Sequence, residues 1–329
     1  MDPTRPESFN HRIERLSTGR TYHFVDQLPS GYDPNLNATI LCVHGFPDFW
    51  YGWRHQIGPW VREGYRVVVP DMLGYGGTDK PWAADEYTTK KLCGDLAALL
   101  EAIGIKQAIL AGHDWGSHIA SRFALWYPNH LVALVILSVP YIPPSPVYLP
   151  IEEVAKRAPN LGYQVYFSEQ KSTKDIESNM KKFLDIMFHP PRSPMSFTKV
   201  GALEAALKGL PSSILSPKEY QYYYDTLSRG MNGPLNYYRT FKQRHEEELA
   251  AGLPSNLRSD LPVLFLWGTR DPTATPAIIR KSAKFVPRLQ DIALEDRGHW
   301  VMVEAKDEVT SHIIKWLKNI GSHSAKAKL

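Results

Sequence analysis

Polar and apolar residues alternate in HRIERL and RTYHFVD on either side of Ser17-Thr18-Gly19, and a period of two around a glycine turn predicts an opening β-hairpin. The pattern then changes. Apolar runs over Thr39 to Val43, Arg66 to Val69, Lys106 to Ala111 and Leu131 to Val139 read as strands, separated by segments of helical spacing. The clearest helices are Thr89 to Ile103 and Ser117 to Tyr127, the latter stopping before Pro128. This alternation predicts an α/β fold, a mostly parallel sheet with helices on both faces.

Pro140 to Pro146 (PYIPPSP) interrupts the alternation, and the chain from there to about Leu257 is strand-poor, aromatic and helix-like. Strand patterning returns at Pro262 to Trp267 and near Gln290 to Leu294, and Glu304 to Ile320 reads as a closing amphipathic helix. The economical arrangement is one core in two sequence pieces, 1–139 and 258–329, with a helical cap over 140–257.

Composition adds mainly exclusions. With 329 residues, 43% hydrophobic and 22% charged, the chain is long enough for a large core and is not a disordered polymer. The net charge of +4 comes from scattered Lys and Arg without interleaved aromatic residues, so no nucleic-acid partner is expected. Cys42 and Cys93 are too few for a disulfide framework or a zinc site and read as small core residues in a reducing compartment. The N-terminus has no signal-peptide apolar core, and no run approaches the roughly 20 apolar residues of a membrane span. The expectation is a soluble, cytosolic protein without stable membrane insertion. The terminal Ala327-Lys328-Leu329 is a conservative variant of Ser-Lys-Leu, which adds a peroxisomal fraction to that expectation. Oligomeric state stays open, with a monomer acceptable.

The chemistry begins at Gly112-His113-Asp114-Trp115-Gly116. A short apolar run before it and a helix after it make a sharp strand-to-helix turn, with glycines where neighbours crowd and Asp114 at the tip. Taken alone, the five residues favour a helix N-cap for Asp114. Three further signals change that. His44-Gly45-Phe46-Pro47 follows a strand, Asp271 follows VLFLWG, and His299 stands in RGHW after another strand, 28 positions later. The order is nucleophile, acid, histidine.

In these residues the chain resembles the α/β-hydrolase fold over essentially its whole length and, within it, the soluble epoxide hydrolases. The cap segments LGYQVYF (161–167) and GPLNYYR (233–239) resemble those in which that family keeps two ring-opening tyrosines. The resemblance implies Tyr163 and Tyr238 for these, with Tyr166 and Tyr237 as close decoys. It also implies Asp114 as nucleophile, His299 as base and Asp271 as its orienting acid. The backbone amides of Phe46 and Trp115 are the expected oxyanion hole, and these two residues with Tyr163 and Tyr238 the expected substrate contacts. Mammalian members carry an additional N-terminal phosphatase domain, which is not expected here because the hairpin opens at His11.

A carboxylate suits this position because, with an ordinary pKa near 3.9, it is already an anion and attacks an sp3 carbon without a base. The implied reaction adds water to an apolar epoxide, giving a vicinal diol through an alkyl ester on Asp114, and requires no metal or organic cofactor. A haloalkane or haloacid dehalogenase shares the aspartate and Trp115 and is the alternative. A catalytically idle ligand-binding protein is the third reading. The tyrosines favour the epoxide, since an alkoxide leaving oxygen needs a proton donor and a halide does not.

Overall fold

The computed structural model describes residues 1–192, 198–206 and 213–326. Eight strands form one sheet: β1 (His11–Arg15), β2 (Thr21–Gln27), β3 (Thr39–Val43), β4 (Arg66–Pro70), β5 (Ala108–His113), β6 (Leu131–Leu137), β7 (Val263–Gly268) and β8 (Leu289–Leu294). Their order is β1-β2-β4-β3-β5-β6-β7-β8. The hairpin β1–β2 and the β2–β4 pair are antiparallel and the remaining pairs are parallel. Residue pattern explains strand position. β3, β4 and β5 are buried at every residue, as a strand covered on both faces must be, whereas β1 at the edge has no buried residue.

Helices α1 (Arg54–Arg62), α2 (Thr89–Ala102), α3 (Trp115–Trp126), α12 (Pro276–Ala283), α13 (Val301–Glu304) and α14 (Lys306–Lys326) belong to the sheet-bearing part. Among them α2 packs on α3, and α1 on α14. Both cysteines are free and buried, Cys42 on β3 and Cys93 on α2. Between β6 and β7 the described residues hold no strand. They build α4 (Ile151–Arg157), α5 (Tyr163–Ser168), α6 (Lys171–Glu177), α7 (Met180–Met187), α8 (Ala202–Ala206), α9 (Pro217–Leu227), α10 (Asn232–Asn236) and α11 (Phe241–Ala250).

This helical layer is tied to the sheet by buried polar contacts. Tyr223 on α9 donates its hydroxyl to Asp48 Oδ1 at 2.8 Å, and Glu219 on the same helix pairs with the buried Arg54 at 2.6 Å. Arg122 on α3 meets Glu248 on α11 at 2.6 Å. A buried charge is tolerated only when paired, so these contacts fix where α9 and α11 can sit. Among the described residues no helix is long and apolar enough to cross a membrane. The tripeptide Ala327-Lys328-Leu329 lies outside the described residues.

Several boundaries shift by a few residues, and two of the shifts bear on the site. β5 runs on to His113 rather than ending at Ala111, because Gly112 and His113 still pair with Ile136 and Leu137 of β6. The closing helix does not begin at Glu304. That residue ends α13 with its carboxylate turned back on the preceding loop, accepting from the Gly298 and Trp300 amides, and α14 starts afresh at Lys306.

Candidate active site

The β5–α3 turn carries Asp114 with φ 54° and ψ −118°, a left-handed conformation that costs energy for a residue with a Cβ. Crowding explains its glycines. A Cβ on Gly112 would lie 2.2 Å from the Gly116 carbonyl oxygen, and one on Gly116 would lie 2.0 Å from the Val43 carbonyl oxygen. Ser117 pins the turn, donating its hydroxyl between the carbonyls of Gly112 (2.7 Å) and Leu137 (2.8 Å) and accepting the Leu137 amide.

Asp114 occupies the N-cap position of α3, yet its side chain makes no capping bond. The carboxylate looks the other way. Oδ1 accepts the Phe46 amide at 2.8 Å, and Oδ2 lies 3.4 Å from His299 Nε2. The Trp115 amide opens α3, where a helix offers no internal acceptor. Of the two expected oxyanion donors, the Phe46 amide grips one oxygen of Asp114.

His299 comes from the loop after β8 and Asp271 from the loop after β7. Asp271 Oδ2 is 2.8 Å from His299 Nδ1, while its Oδ1 accepts both the Thr273 amide (2.8 Å) and the Thr273 hydroxyl (2.7 Å). Burial alone would lower the His299 pKa; Asp271 and Asp114 outweigh it and raise it well above the ordinary value. For Asp114, burial pushes upward but the His299 hydrogen bond and charge, with the Phe46 amide, bring the carboxyl below its usual range. The pair therefore rests as carboxylate and imidazolium.

A cavity of about 250 Å³ opens over Asp114 and His299, with Phe46, Met187, Trp300, Tyr163 and Tyr238 in its wall. The two tyrosine rings meet edge to face with centroids 6.4 Å apart, and Tyr238 packs edge-on against Phe46 and Trp115. Burial, reinforced by the charge of Asp114, raises both phenol pKa values, so both hydroxyls stay protonated at neutral pH. Tyr166 and Tyr237 are engaged elsewhere. The Tyr166 hydroxyl bonds to Asp175 at 3.2 Å and that of Tyr237 to the Leu73 carbonyl at 2.9 Å, and neither residue is in the cavity wall.

Three neighbours of the site escape a reading of the sequence. His113 and Ser138 donate to the His299 carbonyl at 2.8 and 2.7 Å, and Glu304 accepts the amides on either side of it. Burial, then the charge of His299, pushes the His113 pKa down to about 4, so it is neutral and donates through Nε2. Its place beside Asp114 in GHDWG is the only signal the chain gives of it. Among the described residues no group of three His, Cys, Asp or Glu has the arrangement to hold a metal ion.

Residues 38–306 match the family model described as the alpha/beta hydrolase fold. Epoxide hydrolase srdG of Neurospora crassa is 30% identical over 336 residues, which cover 97% of this chain and 98% of that protein. The chain belongs to the epoxide hydrolase family of the α/β-hydrolase fold. Epoxide hydrolase A from Mycobacterium thermoresistibile matches in structure with a TM-score of 0.82 at 29% identity, over 94% of this chain and 98% of that one. Bifunctional epoxide hydrolase 2 of Mus musculus is 31% identical over 96% of this chain, which spans only 57% of that relative's length.

Proposed function

We propose that the protein hydrolyses epoxides to vicinal diols through a covalent ester on Asp114, with residues 140–257 acting as the cap over the reacting groups. The observation that carries this reading is the carboxylate itself, which is held at Oδ1 by an amide and turns Oδ2 toward His299 and a cavity bearing two tyrosines.

In the first step Asp114 Oδ2 attacks an epoxide carbon, the carbon–oxygen bond breaks, and the oxygen takes a proton from Tyr163 or Tyr238. Ester formation removes the negative charge that helped hold the proton on His299. That proton is then released, replacing the one the tyrosine gave. The neutral imidazole, oriented by Asp271, takes a proton from water as the water attacks the ester carbonyl carbon. The charge develops on Oδ1, already in the grip of the Phe46 amide. Collapse expels the diol oxygen, which His299 reprotonates, and the new acid on Asp114 returns its proton to the imidazole. Carboxylate and imidazolium are restored, and the net change is epoxide plus water to diol.

An apolar small-molecule epoxide and water are the only reactants required. The dehalogenase reading leaves the two protonated tyrosines without a task, since halide departure consumes no proton. A single turnover in ¹⁸O-water with enzyme in excess tests the covalent route. The first diol is expected to be mostly unlabelled while the peptide containing Asp114 gains ¹⁸O. A fully labelled first diol with a light Asp114 peptide refutes it.

A further inference from the structure

We infer that Glu304 is a positioning residue for the second half-reaction, its carboxylate fixing the peptide that presents the His299 imidazole to the ester. The inference rests on the covalent reading above. Glu304 spends both oxygens on the loop: Oε2 accepts the Gly298 amide at 2.5 Å and Oε1 the Trp300 amide at 3.0 Å. The carbonyl between them, that of His299, accepts from Ser138 and His113. Four hydrogen bonds thus clamp the backbone on both sides of one residue.

The side chain needs that clamp. Asp271 grips the ring at Nδ1, and ester formation takes away the Asp114 charge at Nε2, so that one hydrogen bond must hold the ring in the second half-reaction. The angle at Nε2, where water must be met, is then set by the backbone that carries Cβ. The clamp does not come from a long helix. Glu304 ends α13, a single turn of four residues, and reaches back past it to amides at its N-cap, Trp300, and in the preceding loop, Gly298. Space is arranged around it as well: a Cβ on Gly298 would lie 3.1 and 3.3 Å from the two Glu304 oxygens and 2.9 Å from Pro191. Glu304 also forms part of the wall of the cavity that His299 lines.

The first half-reaction draws on other elements. Asp114 is set by β5 and α3, Tyr163 by α5, and Tyr238 by the turn after α10. Loosening the His299 peptide should therefore slow ester hydrolysis and leave ester formation nearly untouched. A plain helix cap would show no such asymmetry.

Rapid-quench mass spectrometry of the full chain with styrene oxide as probe reads both rates, in wild type, Glu304→Gln and Glu304→Ala. Glutamine keeps one accepting oxygen and so retains part of the clamp; it carries the test if the alanine variant does not fold. In Glu304→Gln, ester formation should stay within about twofold of wild type, decay should slow about tenfold or more, and KM should fall together with kcat. Equal slowing of both steps, or unchanged decay, overturns the role of Glu304. A wild-type enzyme that turns over without an ester overturns the covalent reading instead.

Discussion

Replacing Asp114 with Asn should lower the pKa of His299, and the size of the drop can be worked from the resting geometry. The imidazole Nε2 and Asp114 Oδ2 are 3.4 Å apart. Two unit charges at that distance attract by about 5 kcal/mol at an effective dielectric of about 20, and each pK unit is about 1.4 kcal/mol. Relaxation of the amide reduces this, but a downward move of more than about one unit should survive. The sign is fixed by the balance at the ring. Burial favours the neutral imidazole, Asp271 and Asp114 favour the cation, and the substitution removes one of the two opponents of burial. An amide at 114 also has the neutral charge of the ester, so the variant reports the state in which His299 must act as base. The assay is a ¹⁵N NMR titration of the His299 ring in wild type and Asp114→Asn, with intact mass confirming that the amide persists. The variant should lose its ring proton at lower pH than the wild type. A midpoint that does not move would mean that Asp114 does not hold the proton, and the idea that ester formation readies its own base would fail.

Single Tyr163→Phe and Tyr238→Phe changes should each slow diol formation, and the double change should reduce it by about a thousandfold while KM moves little; full activity in the double variant would redirect attention to Tyr166 and Tyr237. Asp48 is buried, and burial lifts its pKa from the ordinary 3.8 to about 7 despite the Tyr223 hydroxyl and Phe49 amide. Between those values the folded state holds a proton that the unfolded state has lost, so its contribution to stability falls as pH rises from about 4 to about 7, by up to about 4 kcal/mol. Asp48→Asn should therefore gain on wild type in urea melts as pH rises through that window, and a pH-independent difference would refute the shift. Gly116→Ala drives a methyl against the Val43 carbonyl, and a loss of less than about 2 kcal/mol in the same melts would show that the turn has more room than its geometry implies.

Periodicity is local, and whatever depends on it is readable from the chain. The hairpin, β3, β4 and α2 stand within a residue or two of where the spacing of apolar positions predicts them. The elbow is readable for a related reason: Gly112 and Gly116 are required by contacts within one turn and with the adjoining strand, so their spacing carries the geometry. Asp114, Asp271 and His299 can be placed in order because each follows a strand, although no spacing in the chain states that 28 residues will close to a 2.8 Å hydrogen bond.

Other choices depend on distance between remote segments. Tyr163 and Tyr166 lie one turn apart on α5, and Tyr237 and Tyr238 are neighbours, so periodicity treats each pair as nearly equivalent. Only packing separates them, by offering the Tyr237 hydroxyl the Leu73 carbonyl and the Tyr166 hydroxyl the Asp175 carboxylate. The end of β5 differs from its expected place because the pairing that prolongs it belongs to β6. The start of the closing helix differs because Glu304 serves a loop rather than the helix its spacing predicts. The protonation of the site is beyond the reach of sequence altogether. From residue types alone His299 is an ordinary imidazole and Asp48 an ordinary carboxylate. Carboxylates a few ångströms away push His299 up against burial, and burial pushes Asp48 up, and these are properties of the folded chain, not of any segment within it.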